Sequence, residues 1–219
     1  HNPIRLAEDI ALLDQLSDGR VDVGIGRGIY GREAINMNKE ADLKDQAKNF
    51  RLFDESLTIM KKAWTEKFFS HQGGCYDYPT PGFNWQHDMS PPSEEFLDTN
   101  TNEIKKISVV PKPKQLPHPP IWQVVDGARS IEWAAQNGLN TIMWIPTVKA
   151  LKNRFEIYRD AKSKAENREV PLGEGISLVR DMFIAETMEE AEKLASEHII
   201  NYMKWVCHWR GLGNHMDPG

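Results

Sequence analysis

VDVGIGRGIYG, residues 21–31, is the stretch whose reading decides the fold. Val21, Val23 and Ile25 form a β-branched run interleaved with Asp22 and Gly24, which reads as a strand entering a glycine-rich loop. Gly26, Gly28 and Gly31 match the G-x-G-x-x-G spacing of a dinucleotide-binding fold. That fold requires a helix opening at the last glycine, and an acidic residue closing the next strand about 20 residues on. The residues after Gly31, REAINMNKEAD, are polar and aperiodic, so a helix is expected only near residue 42. Residue 50 then falls inside that helix rather than in a strand. The dinucleotide fold is therefore set aside. What remains is a glycine-rich turn at a strand end, carrying Arg27. Ligands of α/β folds bind at the carboxyl ends of strands. A guanidinium there suits a phosphate or a delocalised anion, and a structural ion pair with a nearby carboxylate is the alternative.

Outward from this stretch, strands and helices alternate. Residues 3–17 read as a helix capped by Asn2, with Pro3 at its first position and Gly19 past its end. Leu6, Ile10, Leu13 and Leu16 are expected to form its apolar face. A long helix is expected over residues 42–66, where Phe50, Phe53, Leu57, Met60 and Trp64 recur at helical spacing. Residues 70–120 are rich in Pro, Gly, Asn and His and read as mostly loop with a short hairpin, a long insert that suits a lid. Strands are then expected at 121–125, 140–145 and within 174–186, and helices near 130–137, 148–164 and 188–205. Strands alternating with helices indicate a parallel α/β sheet. A complete (β/α)8 barrel needs about 250 residues. The 219-residue chain is thus expected to be a single partial barrel domain over 1–219, truncated at both ends. Its first residue, His1, is not Met, which suggests a start inside a longer protein.

Composition excludes several classes. A net charge of −5 argues against nucleic acid and acidic membrane surfaces as partners. No apolar run approaches about 18 residues, so no membrane span is expected. Two distant cysteines, Cys75 and Cys207, imply no disulfide framework and fit a cytoplasmic location. His71, Cys75 and His87 lack metal-ligand spacing, and no metal site is expected. Cys207–His208 reads as a buried thiol beside surface polar groups. Glu189, Glu190 and Glu192 read as the solvated face of a helix.

A second anion candidate lies in WQVVDGARSIEWAAQNG, residues 122–138. Here a strand passes through Asp126 and Gly127 into a helix near Ser130. Backbone N–H groups at such a turn can hold a phosphate, with Ser130 adding a hydroxyl. Ordinary helix capping by Asp126 or Ser130 is the alternative.

These segments resemble the luciferase-like flavin monooxygenases. The matching residues are RLAEDIALLDQLSDGRVDVGIGRGIYG (5–31), PHPPIWQVVDGARSIEWAAQNGL (117–139) and WIPTVKALKNRFEIYRD (144–160). The resemblance covers most of residues 2–165 and is weaker over 70–117. It implies a (β/α)8 barrel represented by about strands 4 to 7, without the first three strands and the last. It also implies that Arg27 and Ile29 contact flavin at the end of the fourth strand. Asp126, Gly127 and Ser130 would form the phosphate-binding turn after the fifth, and Trp144 on the sixth would face the pocket. Bacterial luciferase's reactive cysteine is replaced by Gly26, so no thiol chemistry is carried over. Its active-site histidine lies upstream of His1, so no catalytic residue is assigned.

The activity implied by the resemblance is oxidation of a small organic substrate by reduced FMN and O2 through a C4a-peroxyflavin, with the flavin supplied by a separate flavin reductase. A deazaflavin-dependent oxidoreductase of the same superfamily and a non-catalytic flavin-binding barrel are the alternatives. The resemblance leaves a homodimer open.

Overall fold

A computed structural model of the chain describes residues 1–28, 31–144 and 147–206. The chain divides into two compact units, His1–Pro120 and Ile121–Gly219.

The first unit is built on two packed helices. Helix α1 (Pro3–Leu16) starts as expected: the Asn2 side-chain oxygen accepts from the backbone N–H of Ile4 at 3.0 Å and of Arg5 at 3.3 Å. Its buried face, however, is Pro3, Ala7, Ala11 and Asp14, while Leu13 and Leu16 are 55% and 76% exposed. The expected leucine face is therefore corrected. Small side chains at 7 and 11 let α1 approach helix α3 (Gln46–Thr65) closely enough for the Trp64 indole to donate to the Ala7 carbonyl at 2.9 Å. Close approach decides this seam. The α3 periodicity holds as expected, with Leu57, Met60 and Trp64 buried and Phe50 and Phe53 half-buried.

Strand β1 (Val23–Ile25) is shorter than the five residues expected, and Val23 N–H donates to the Pro120 carbonyl at 2.8 Å. A second correction follows it. A short helix, α2 (Gly31–Met37), opens at Gly31, where no helix was expected. It escapes a periodicity test because it spans two turns and leaves Ile35 and Met37 exposed. The other dinucleotide requirement still fails, since residue 50 lies within α3. A 3-10 turn at Lys39–Ala41 connects α2 to α3, with the Asn38 side chain accepting from Glu40 N–H at 2.9 Å.

Residues 66–120 carry two minimal antiparallel hairpins, β2 (His71–Gln72) with β3 (Asp77–Tyr78) and β4 (Leu97–Asp98) with β5 (Glu103–Ile104). The segment returns across the helices through charged anchors. Lys112 Nζ donates to the Ala63 and Glu66 carbonyls at the end of α3, at 2.7 and 2.5 Å. The fully buried Asp14 carboxylate accepts from the Gln115 backbone N–H at 2.9 Å and its side-chain amide at 2.8 Å.

The second unit alternates strand and helix: β6 (Ile121–Val125), α4 (Ala128–Gln136), β7 (Asn140–Trp144), α5 (Val148–Glu166), β8 (Ile176–Val179) and α6 (Met188–Val206). The sheet is parallel, as expected, with Val125 opposite Met143 and Met143 opposite Leu178. Strand β8 is four residues, ending well before residue 186. Ile121 and Val125, with Thr141 and Met143 beside them, line one buried sheet face, and α4 buries Ile131, Ala134 and Ala135. Tyr158 of α5 donates its hydroxyl to the Leu139 carbonyl at 2.9 Å. Among the described residues no helix is long and apolar enough to cross a membrane.

Asp14 makes the first unit's stability depend on pH. Burial pushes its carboxyl pKa up, but hydrogen bonds from Gln115 and the adjacent backbone outweigh burial and hold it below the ordinary value. A depressed folded pKa contributes stability above the ordinary value of about 3.9 and loses it as pH falls through the lower folded value. Asp14→Asn leaves the Gln115 donors poorly matched and is expected to cost about 1–3 kcal/mol at pH 7. Urea unfolding at pH 7 and pH 3 should show the gap to wild type narrowing at the lower pH.

Candidate functional site

The carboxyl end of β1 opens into a cavity of about 520 Å3 that lies wholly within the first unit. Ile25, Phe53, Leu57 and Met60 give it an apolar surface, and Arg27 and Tyr76 are among the polar groups that reach it. Because α3 turns one face to this space, the residues spaced along that face become its wall.

Arg27 is half-buried and held from α3. Its Nη1 donates to the Gln46 side-chain oxygen at 3.3 Å and to Asn49 Oδ1 at 3.4 Å. Its guanidinium carbon lies 5.7 Å from the Phe50 ring centroid, within cation–π range. Asn49 returns the contact, since its Nδ2 donates to the Arg27 and Ala41 carbonyls, both at 3.3 Å. Asn49 is 2% exposed and was not singled out from the sequence. The available signal was an amide four residues before Phe53, on the apolar face of α3.

The glycines around Arg27 have separate uses. A Cβ added at Gly24 or Gly26 meets nothing within 4 Å, so both leave the cavity edge open. Gly28 has φ +87°, a conformation that side-chain-bearing residues adopt at a cost. Ile29 lies outside the described residues, as do Cys207 and His208.

The second candidate stretch belongs to the second unit. Gly127 is the N-cap of α4 and has no side chain with which to cap the helix. Neither Asp126 nor Ser130 is therefore the N-cap residue, and each side chain makes another contact. Ser130 Oγ donates to the Gly127 carbonyl at 2.7 Å, and Asp126 pairs with Arg154 Nη2 of α5 at 3.0 Å. Arg154 was missed, because a lone arginine on a charged helix gives no signal. Its Nη1 is buried without a hydrogen-bond partner. Trp144 ends β7, half-buried.

Among the described residues no group of three His, Cys, Asp or Glu side chains is placed to hold a metal ion. Glu189, Glu190 and Glu192 are exposed on α6, as a solvated face requires.

Comparison with known proteins supplies the remaining findings. The family model described as luciferase-like monooxygenase matches residues 1–217. The chain is 28% identical over 207 residues to the oxygenase component of the flavin-dependent trigonelline monooxygenase of Acinetobacter baylyi, covering 92% of this chain and 47% of that protein. It is 26% identical over 224 residues to 3,6-diketocamphane 1,6-monooxygenase of Pseudomonas putida, covering 97% and 56%. Among solved structures, the oxygenating constituent of 3,6-diketocamphane monooxygenase from Pseudomonas putida, a type II Baeyer-Villiger monooxygenase in complex with FMN, matches with a TM-score of 0.72. The identity is 25%, over 98% of this chain and 55% of that one. The chain spans about half the length of these relatives.

The glycine assignments separate by substitution. Gly28→Ala forces a side chain into left-handed backbone and is expected to cost about 1–2 kcal/mol, whereas Gly26→Ala, facing open space, should leave the melting temperature nearly unchanged. Thermal unfolding of the two variants checks the difference.

Proposed function

This chain belongs to the luciferase-like monooxygenase family, and from that premise we propose that the protein is a flavin-dependent monooxygenase acting with reduced FMN and O2 on a small organic substrate. The barrel reading goes with it: β1, β6, β7 and β8 are taken as strands 4 to 7 of a (β/α)8 barrel. The observation that carries the proposal is the cavity at the end of β1. It is apolar, Arg27 reaches it, and no carboxylate is among the described residues that line it.

The residues present fit a flavin ring. Ligand pockets run to about 300–1,000 Å3 and combine an apolar surface with a few placed polar groups; the cavity, at about 520 Å3, is of that kind. Gly24 and Gly26 leave the space that a Cβ would fill. A flat aromatic system with one carbonyl-rich edge suits a slot lined by Phe53, Leu57 and Met60 and served by a guanidinium. Bound there, reduced FMN would supply the electrons that activate O2 toward the substrate.

The chain's own residues then bind, orient and exclude water. Arg27 donates to the polar edge of the ring, already aimed by Gln46, Asn49 and Phe50, so little freedom is lost on binding. Phe53, Leu57 and Met60 keep water from the ring's apolar part. The start of α4 at Gly127 is the proposed phosphate site, with Asp126 kept in place by Arg154 and Ser130 shaping the turn. Ile29 and Trp144 are proposed as further flavin contacts on the family resemblance. Residues 70–120 are proposed as the lid, and their Tyr76 lies in the cavity wall. The reduced flavin is proposed to come from a separate reductase, in the cytoplasm.

Arg27→Ala removes a charge-assisted donor of about 1.5–3 kcal/mol, so FMN affinity of the full chain should fall roughly 10- to 100-fold. Fluorescence titration with FMN reads it, and unchanged affinity overturns the assignment. The absorbance of the bound cofactor separates flavin from deazaflavin.

A further inference from the structure

We propose that Glu55 is a positioning residue: its buried carboxylate grips the 71–76 hairpin and thereby fixes Tyr76 as an aromatic wall of the cavity. The inference rests on the flavin ring occupying that cavity.

Glu55 is buried on α3, and its oxygens are taken up by one short stretch of chain. Oε1 accepts from Tyr76 N–H at 2.7 Å, Cys75 N–H at 3.1 Å and His71 Nε2 at 3.0 Å, and Oε2 lies 3.0 Å from the Cys75 nitrogen. Burial pushes the Glu55 carboxyl pKa up, but the His71, Tyr76 and Cys75 hydrogen bonds outweigh it and hold it below the ordinary value. The grip is therefore that of a carboxylate, whose hydrogen bonds are stronger than those of a neutral acceptor. Gly73 lets the chain close over it, because a Cβ there would collide with Glu55 Oε1 and His71 Nε2.

The hairpin's own strand pairing is short. Strands β2 and β3 pair over two residues each, and an isolated two-stranded hairpin is marginal in water. The grip is applied at the backbone of the residue whose side chain reaches the cavity. Tyr76 is then held along its length. Its ring stacks on Tyr78 at 5.8 Å and 15°, and its hydroxyl is close to the side chains of Ser56 of α3 and of Asn38. Ser56 and Asn38 line the same cavity. A side chain gripped at its backbone and packed against a neighbouring ring presents a fixed surface, which is what a flat ligand needs from a wall. The neighbouring Cys75 takes no chemical part in this arrangement. Burial and the Glu55 carboxylate both push its thiol pKa up and keep it protonated.

The test is a double-mutant cycle on FMN affinity, read by fluorescence titration of the full chain. Aromatic contacts are worth a few-fold to about tenfold in affinity, so Tyr76→Ala should weaken FMN binding by roughly that factor. Tyr76→Phe should keep most of the affinity. Glu55→Ala should reproduce the Tyr76→Ala loss, and the double variant should lose no more than either single one. Glu55→Gln, which keeps an acceptor for the Tyr76 N–H, should return affinity toward wild type. If Glu55→Ala does not fold, Glu55→Asp withdraws the oxygens by one methylene and takes its place in the cycle.

Multiplying losses, or wild-type affinity in Glu55→Ala, overturn the inference. Arg27→Ala in the same assay separates the two proposals. If it weakens FMN binding while Tyr76→Ala does not, the wall fails and the cofactor assignment stands. If neither substitution weakens binding, the cofactor assignment fails.

Discussion

The first unit depends on what one buried amide does. Asn49 sits on α3, almost without exposure, and satisfies both ends of its side chain at the mouth of the cavity. Its nitrogen donates to the carbonyls of Arg27 and Ala41, and its oxygen accepts from the Arg27 guanidinium. A buried amide left unmatched would be costly, so these contacts are made together or not at all. The end of β1, the 3-10 turn and α3 are thereby tied to a single group. Because Asn49 returns a bond to the Arg27 backbone while accepting one from its side chain, the loop and the guanidinium are set by the same contact. A ligand then meets an arginine whose rotamer freedom was spent on folding.

The segment after α3 solves a related problem with charges. A stretch this long with so little regular structure pairs its backbone through scattered turns and bridges such as Phe69 with Ile107. It is also held where side chains with several hydrogen-bonding valences meet it. Lys112 takes two unpaired carbonyls at the end of α3, where cations are also favoured by the helix dipole. Asp14 takes both donors of Gln115, and Glu55 takes the hairpin that carries Tyr76. Each anchor is a buried or half-buried ionic group whose hydrogen bonds go to backbone or amide partners, with the His71 imidazole added at Glu55. Such pairings fix position strongly, because the charge has no alternative partner once water is excluded.

Elements that owe their existence to repetition were legible in the sequence. The Phe50 to Trp64 series marked α3, and the parallel strands at 121–125 and 140–144 followed from their apolar runs and the helix signals between them. Elements set by close approach or local bonding were not. The leucines of α1 outweigh its alanines in hydrophobicity, yet Ala7 and Ala11 face α3 because the helices touch there. Helix α2 repeats too briefly to leave a pattern. The site divided in the same way. Arg27 stood out through its place at a strand end, whereas Asn49, Glu55 and Arg154 act through partners far along the chain. Glu55 meets its partners 16 to 21 residues on, across a glycine pair whose role is invisible until the chain is folded.

The glycine pattern that first suggests a dinucleotide also explains the cavity's electrostatics. In a dinucleotide fold the glycines bring a phosphate to backbone N–H groups, and the intervening residues are filler. Here Gly24 and Gly26 clear space beside a full positive charge, and Gly28 turns the chain away. The guanidinium is aimed by oxygens of Gln46 and Asn49, which carry dipoles but no charge. Apolar walls lower the local dielectric, so the cation acts over a longer range there than it would in water. An apolar cavity with a fixed guanidinium favours a ligand that carries electron density at one edge and is apolar over the rest. The flavin ring proposed for this cavity has that character.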